Sequence, residues 1–189
     1  MRDIDIRRAL LSEMERRHAG DGNTILVEEL GICNGAARVD VAVVNGSVHG
    51  YEIKSERDTL QRLPLQICEY NRVFDYVTIV VSSPHLMKVK QAVPKWWGIS
   101  LAEKSGDEVK VVQVRQARKN ASLDRFALAQ LLWRDEALEA LAARGLDKGM
   151  RSKPRERMWA KLANSLTERD LGEVVRSKLK RRGPAWRDL

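Results

Sequence analysis

Apolar positions along the chain follow a helical period first and a strand period afterwards. In residues 3–18, Ile6, Leu10 and Met14 recur at helical spacing with arginines between them, which predicts an amphipathic helix. Residues 24–30 and two valine-rich runs around position 45 predict three strands. The run 75–82 is almost wholly apolar, as expected for a strand at the centre of a sheet that is covered on both faces.

The Asn-Gly pair at 45–46 separates the two valine-rich runs and predicts a β-hairpin, because both residues tolerate the positive φ of tight turns. A bare two-residue turn would put Asp40 and Glu52 on opposite faces of the sheet, since side chains alternate. A one-residue bulge, either with Gly46 as the left-handed residue of a three-residue loop or at Gly50, would put both on one face together with Lys54. We expect such a bulge.

Asp40 and the segment Glu52-Ile53-Lys54 place charge inside apolar strands, where burial is costly unless the charges bind a metal or one another. Two carboxylates without a His or Cys pair nearby favour Mg²⁺ or Mn²⁺. The Ile53 carbonyl offers a further oxygen ligand, and Lys54 would hold a phosphate oxygen or orient a water. This set suits metal-assisted phosphodiester hydrolysis. The alternative is a surface hairpin whose charges form solvated ion pairs.

Residues 55–74 predict helix, divided at Pro64, with an apolar stripe ending at Phe74. Beside the stripe, Arg62, Gln66 and Tyr70 fall four residues apart and share one face. On their own, Tyr70 would be a core residue and Gln66 a solvated flank. Their order after Asp40 and Glu52-Ile53-Lys54 favours a role at the same site.

These residues resemble the PD-(D/E)xK nuclease superfamily, with Asp40 as the motif aspartate, followed by Glu52-Ile53-Lys54 and by Gln66 and Tyr70 in the Q-x-x-x-Y spacing of RecB-type exonucleases. The predicted order helix, three strands, helix, strand matches that superfamily's αβββαβ core. The resemblance therefore implies a restriction-endonuclease-like α/β fold with a mixed central sheet. It also implies that Gln66 and Tyr70 brace the site and that an acid of the first helix, here Glu13, reaches the metal. A helix-surface role for Glu13 is the alternative.

After residue 82, a short helix to about 93 and a hairpin of 98–102 with 109–114 complete a domain of residues 1–121. Residues 122–189 predict a helical lobe: one long helix from 126 to 145, then two more, joined by a basic link and followed by a basic end at 180–187. The lobe holds 16 Lys and Arg against 10 Asp and Glu. This part also looks like an uncharacterised bacterial group of such domains. A lobe of this charge suits a polyanion; the alternative is a solvated face on a packing or partner-docking module. The expected nucleic-acid contacts are Arg62, Arg151, Lys153, Arg155, Lys180, Arg181 and Arg182.

Composition agrees with a globular protein: 189 residues, 43% hydrophobic, 32% charged and a net charge of +8. No apolar run approaches the ~20 residues that span a bilayer, and no signal-peptide core follows Met1, so we expect a cytoplasmic protein. Cys33 and Cys68 have neither disulfide-framework nor metal-ligand spacing. Taken together, we expect a Mg²⁺- or Mn²⁺-dependent nuclease, acting on DNA in repair, recombination or defence. The alternatives are a nucleic-acid-binding or regulatory module that does not cleave alone, and a structural adaptor acting through its C-terminal helices.

Overall fold

A computed structural model describes residues 1–106 and 108–183. Asp107 in the expected β-hairpin loop and residues 184–189 of the expected basic end lie outside the described residues. The elements in chain order are α1 (Asp3–Arg17), β1 (Ile25–Ile32), a 3₁₀ turn (Cys33–Gly35), β2 (Ala37–Val44), β3 (Val48–Lys54), α2 (Leu63–Val73), β4 (Tyr76–Ser82), α3 (Ser83–Ala92), β5 (Gly98–Ser105), β6 (Glu108–Arg115), α4 (Arg125–Ala129), α5 (Arg134–Ala142), α6 (Arg155–Ser165) and α7 (Glu168–Arg182).

The six strands form one mixed sheet in the order β1-β2-β3-β4-β5-β6. The β3–β4 and β4–β5 pairs are parallel, while β1–β2, β2–β3 and β5–β6 are antiparallel. The parallel connections from β3 to β4 and from β4 to β5 each pass through a helix, α2 or α3, as parallel strands require. The α/β fold class with a mixed sheet and a C-terminal helical region is confirmed.

The sheet carries helices on both faces. On one face, α1 places Ile6, Leu10 and Met14 against the valine and isoleucine side chains of β2, β3 and β4. On the other face, α2 and the C-terminal helices pack in a single hydrophobic cluster that includes Tyr70, Trp97 and Trp159. Trp97, which follows Trp96 just before β5, is fully buried and packs in this cluster. The C-terminal helices thus share their core with the sheet.

The β2–β3 hairpin has the expected register, and its extra residue lies in the turn. Val44 pairs with Val48, so the loop holds three residues, and the paired strands themselves show no shift. Asn45 closes the loop by accepting the Ser47 amide at 3.0 Å. Gly46 is not in the left-handed region, and Gly50 pairs regularly with Ala42. The extra residue therefore lies in a three-residue loop, one of the two expected arrangements, although Gly46 lacks the expected left-handed conformation.

Two helical predictions are wrong in their bounds. Residues 55–62 form turns, because the Asp58 carboxylate accepts the Ser55 amide and hydroxyl and closes a local loop instead of starting a helix. The long helix expected from 126 to 145 is two helices, α4 and α5. The helix is interrupted between Ala129 and Arg134. Glu136 caps the start of α5 by accepting a hydrogen bond from the Trp133 amide. Across the described parts of the chain, no helix is long and apolar enough to cross a membrane.

Candidate functional site

The candidate site lies where β2 and β3 separate. Their pairing ends at Val41 and Tyr51, and continuing the register by one step sets Asp40 opposite Glu52. There the Ile53 amide, instead of bonding to the β2 backbone, donates to Asp40 Oδ2 at 2.7 Å. The N–H and C=O of one strand residue point to the same side, so the Ile53 carbonyl also faces this opening.

The alternation of side chains slips by one residue at this position in both β1 and β2. Val39 and Ala42 both join the cluster under α2, although they are three residues apart, and Val41 joins the α1 cluster. On β1, Glu29 lies opposite Asp40 and adopts φ +54°, a left-handed conformation that is unfavourable for a residue with a side chain. Backbone strain of this kind is concentrated at functional sites.

Glu52 is 3% exposed and three donors converge on its carboxylate. The Tyr70 hydroxyl lies 2.5 Å from Oε2, while Lys54 Nζ and Gln66 Nε2 donate to Oε1 at 2.6 and 2.5 Å. Burial and the charge of Glu52 raise the pKa of Tyr70, so Tyr70 stays a hydroxyl. The Gln66 and Tyr70 side chains share one face of α2, as their spacing predicts, and both reach Glu52.

Gln66 Oε1 is buried and has no hydrogen-bond partner among the described residues. Buried polar atoms of this kind are rare in folded proteins, so each one calls for an explanation. The amide nitrogen of the same side chain is fixed on Glu52. The free oxygen therefore lies beside the acidic centre, where it can accept from a water or ligate a cation.

Asp40 is bound from α1 by Arg7, which donates to Asp40 Oδ1 at 2.8 Å and to the Asp40 carbonyl at 3.1 Å. Arg7 also pairs with Glu29 at 2.8 Å. Burial and the nearby charge of Glu52 raise the pKa of Asp40 to about 7, against the opposing effects of the Ile53 amide and Arg7. The two carboxylates therefore repel each other in a site with little solvent to screen them.

Glu13 does not join this site. Its carboxylate bonds to Arg16 and Arg17 near the C-terminal end of α1, and it lines a cavity with His49 under that end of the helix. The α1 residue that reaches Asp40 is Arg7, six positions earlier. The helix thus presents its N-terminal end to the site, so the acid chosen for its place beside the apolar stripe lies too far along the helix.

The basic residues expected to contact nucleic acid divide into two groups. Arg62 is exposed at the start of α2, and Arg151, Lys153, Arg155 and Arg181 are exposed on the helical lobe. Lys180 bonds to Asn23 Oδ1 at 2.7 Å, which links α7 to the loop before β1. Arg182 departs from the prediction: its side chain is 6% exposed, because Glu136 and the Leu131 carbonyl hold it inside the lobe.

Sequence reasoning missed Arg7 and the Arg38 carbonyl, whose oxygen lies 2.8 Å from the Tyr70 hydroxyl. Arg7 looked like one of several outward-facing arginines of α1. The left-handed backbone of Glu29 has no signal in the sequence. Only the packing of α1 across the end of the β1–β2 pair brings these residues together.

The oxygen donors of this centre fit a hard divalent cation. No group of three or more His, Cys, Asp or Glu side chains is arranged to hold a metal within residues 1–106 and 108–183. Mg²⁺ commonly takes only one or two carboxylates and keeps several waters. Asp40 and Glu52, with the Ile53 carbonyl and Gln66 Oε1 beside them, provide such a set.

Fold and site together define a mixed α/β protein with a helical lobe and a buried centre of two carboxylates and a lysine. The chain belongs to the family of bacteriophage P4 protein cII, whose model matches residues 1–187. Protein cII of Enterobacteria phage P4 is 26% identical over 179 residues, which cover 95% of this chain and 62% of that protein's length. A protein of unknown function from Silicibacter pomeroyi aligns in structure with a TM-score of 0.43 and 19% identity, over 78% of this chain and 87% of that one.

Proposed function

We propose that this protein is a Mg²⁺- or Mn²⁺-dependent nuclease that hydrolyses phosphodiester bonds of DNA, in repair, recombination or defence. The observation that carries the proposal is the position of Asp40 opposite Glu52, where β2 and β3 separate, with Lys54 bonded to Glu52. These are the residue types that this chemistry needs, in one buried place.

Asp40, Glu52 and the Ile53 carbonyl would hold the cation. A bound Mg²⁺ supplies Lewis acidity and lowers the pKa of a coordinated water. Repulsion between the two carboxylates supports this assignment, because a divalent cation relieves the conflict that raises the pKa of Asp40.

Lys54 would bind a non-bridging phosphate oxygen or orient the attacking water. Its Nζ lies 2.6 Å from Glu52 Oε1 in a side chain that is 10% exposed, so its position is fixed before substrate arrives. Gln66 and Tyr70 fix the Glu52 carboxylate from α2. A positive group held in place near the reacting phosphate stabilises the charge that develops on its oxygens.

The experiment is cleavage of linear, circular and single-stranded DNA with Mg²⁺, Mn²⁺ or EDTA. Lys54→Met keeps the length of the side chain and removes its charge, while Lys110→Met removes one charge from an exposed position on β6. We expect metal-dependent cutting by the wild-type protein and by Lys110→Met, and its loss in Lys54→Met. Thermal melting of both variants separates loss of chemistry from loss of fold. A folded wild-type protein that cuts no DNA with either metal contradicts the proposal.

A second candidate is a nucleic-acid-binding or regulatory module that does not cleave alone. Arg7 favours it, because Arg7 already satisfies Asp40 Oδ1 at 2.8 Å and the centre holds together through ion pairs. This candidate predicts DNA binding that is equal in EDTA and in Mg²⁺, with no cutting in either.

A further inference from the structure

A groove of about 370 Å³ lies between the sheet and the helical lobe, at the end of β1. The 3₁₀ turn Cys33–Gly35 forms one wall. The start of α5 and the first turns of α6 form the other. The groove is lined by an exposed tryptophan and several arginines, and the residues that matter here are Gly31, Asn34, Trp133, Arg134, Arg155 and Arg182.

Trp133 is held with one face outward. Its residue is 42% exposed, and the guanidinium of Arg182 lies 4.1 Å from the ring centroid. Because the Arg182 side chain is 6% exposed, the ring face that it covers is the inner one. Glu136 binds Arg182 and accepts the Trp133 amide at 2.9 Å, so ring, cation and backbone form one fixed unit. A flat aromatic surface of this kind costs little entropy to use.

The wall formed by α5 and α6 also supplies positive charge. Arg155 reaches across the groove to Asn34 Oδ1 at 2.8 Å and lies over the Trp159 ring at 5.1 Å, with half of its side chain exposed. Arg134, next to Trp133, is also about half exposed. Aromatic rings beside arginines at a groove are the arrangement that binds bases and phosphates of an unpaired strand.

Strand β1 connects the groove wall to the neighbourhood of the acidic centre. Gly31 pairs with Arg38 on β2, and the exposed Arg38 side chain bonds to Glu29 at 2.8 Å. Glu29 lies opposite Asp40. At roughly 3.3 Å per residue, Gly31 in the groove wall lies about 7 Å along β1 from Glu29, and Asp40 lies on the next strand, about 5 Å to the side.

From these contacts we infer that the groove binds single-stranded DNA, with one base stacked on the outer face of Trp133 and the backbone passing Arg155 and Arg38 toward Asp40 and Glu52. A duplex does not fit this surface, because its bases are already stacked on each other. The choice of DNA rests on the proposed function: a water activated by a metal suits a polymer without a 2′-hydroxyl nucleophile. The inference names the substrate class of that site.

The test is fluorescence anisotropy with labelled dT12, a 12-base-pair duplex and rU12, in EDTA, on the full chain. EDTA removes metal, so binding is measured whether or not the protein cleaves. Trp133→Leu removes the stacking surface, Trp133→Phe keeps a smaller one, and Met87→Ala alters an exposed apolar residue on α3. Arg155→Met and Arg169→Met remove one charge each, inside the groove and on the far side of α7.

We expect Trp133→Leu to weaken dT12 binding about tenfold, Trp133→Phe to weaken it less, and Met87→Ala to leave it unchanged. Duplex binding should change less than twofold in Trp133→Leu. Arg155→Met should weaken dT12 binding more than Arg169→Met. Photo-crosslinking of wild-type protein to an oligonucleotide carrying 5-iodouracil should label the peptide with Trp133, which tests the contact without any variant.

Equal dT12 affinity in wild type and Trp133→Leu, or a crosslink confined to other peptides, overturns the inference, as does tighter binding of rU12 than of dT12. If dT12 binding depends on Trp133 but no metal supports cutting, the groove stands and the nuclease proposal fails. If DNA is cut and the Trp133 variants bind dT12 as the wild-type protein does, the nuclease proposal stands and the inference about the groove fails.

Discussion

The Tyr70 hydroxyl and the Glu52 carboxylate lie 2.5 Å apart, across the contact between α2 and the end of β3. Both are buried, and the same hydroxyl lies 2.8 Å from the Arg38 carbonyl on β2. One side chain thus joins the helix to the two strands that part at the candidate site. The position of Glu52 therefore depends on how α2 packs on the sheet.

Tyr70→Phe should lower stability by about 1–3 kcal/mol, because it leaves a buried carboxylate oxygen without its donor. In the proposed nuclease it should also lower kcat more than it raises KM, since Glu52 loses its orientation. Chemical denaturation measures the first effect and steady-state cleavage the second. The control is Tyr76→Phe, because the Tyr76 hydroxyl of the wild-type protein makes no hydrogen bond within the described residues. Equal stability of the two variants would refute the role of the Tyr70–Glu52 bond.

Arg7→Met should destabilise the metal-free protein by about 2–3 kcal/mol, since it strips the cation from a mostly buried carboxylate. Mg²⁺ should then recover more of the melting temperature than it does in the wild-type protein, because Asp40 Oδ1 is released. Thermal melts with EDTA and with Mg²⁺ give both quantities. Arg16→Met, which removes an exposed partner of Glu13 on the same helix, should show neither effect. An Arg7→Met protein that is indifferent to Mg²⁺ speaks against a cation at Asp40.

His49 should make the fold sensitive to acid. Burial lowers the pKa of His49 to about 3, with Thr78 Oγ1 2.9 Å from its Nε2. The folded state therefore resists protonation while the unfolded state takes up a proton below about pH 6.5, so stability is full above that pH and falls as the pH drops toward 3. Between pH 6.5 and 4.5 the loss from this group is about 2–3 kcal/mol. Chemical denaturation at several pH values in this range measures the free energy of unfolding. Its dependence on pH should become weaker in His49→Gln and stay unchanged in His18→Gln.

Gly98→Ala should be destabilising at the start of β5. A Cβ there would lie 2.6 Å from Thr78 Oγ1 and 2.9 Å from the Ala117 backbone nitrogen, and the second neighbour cannot rotate away. We expect a loss of about 2–3 kcal/mol, as for overpacked sites. Gly46→Ala, in the β2–β3 loop with open space around it, is the matched control. Similar denaturation midpoints for the two variants would show that the strand shifts to accept the methyl group.

The sequence was sufficient for the part of the site that depends on local pattern. Alternating apolar residues located the strands, and the cost of burying Asp40 and Glu52 inside them singled out the place where the two carboxylates lie near each other. The four-residue spacing of Gln66 and Tyr70 predicted that both side chains lie on one side of a helix. Each of these inferences uses only the period of a strand or a helix.

What escaped prediction depends on how the elements pack. The apolar stripe of α1 determines which face of the helix is buried but not which end of the helix lies over Asp40. The stripe therefore cannot show that Arg7, rather than Glu13, reaches the site. The left-handed backbone of Glu29 follows from the opening between strands, which no propensity encodes. Arg182 is an arginine in a basic segment, which favours phosphate binding. Only the fold shows that Glu136 and Trp133 hold its side chain inside the helical lobe.

The shared core of sheet and lobe has a consequence for synthesis. The apolar face of the sheet is complete in sequence by residue 115, but its cover comes partly from helices between Arg125 and Arg182. At roughly 5–20 residues per second, a ribosome needs on the order of several seconds to make that cover. During that time a valine-rich surface of the nascent chain is exposed to solvent, where chaperones or a neighbouring chain can bind it. Helix α2, which fixes Glu52 on that same face, therefore gains its full packing only as translation of the lobe ends.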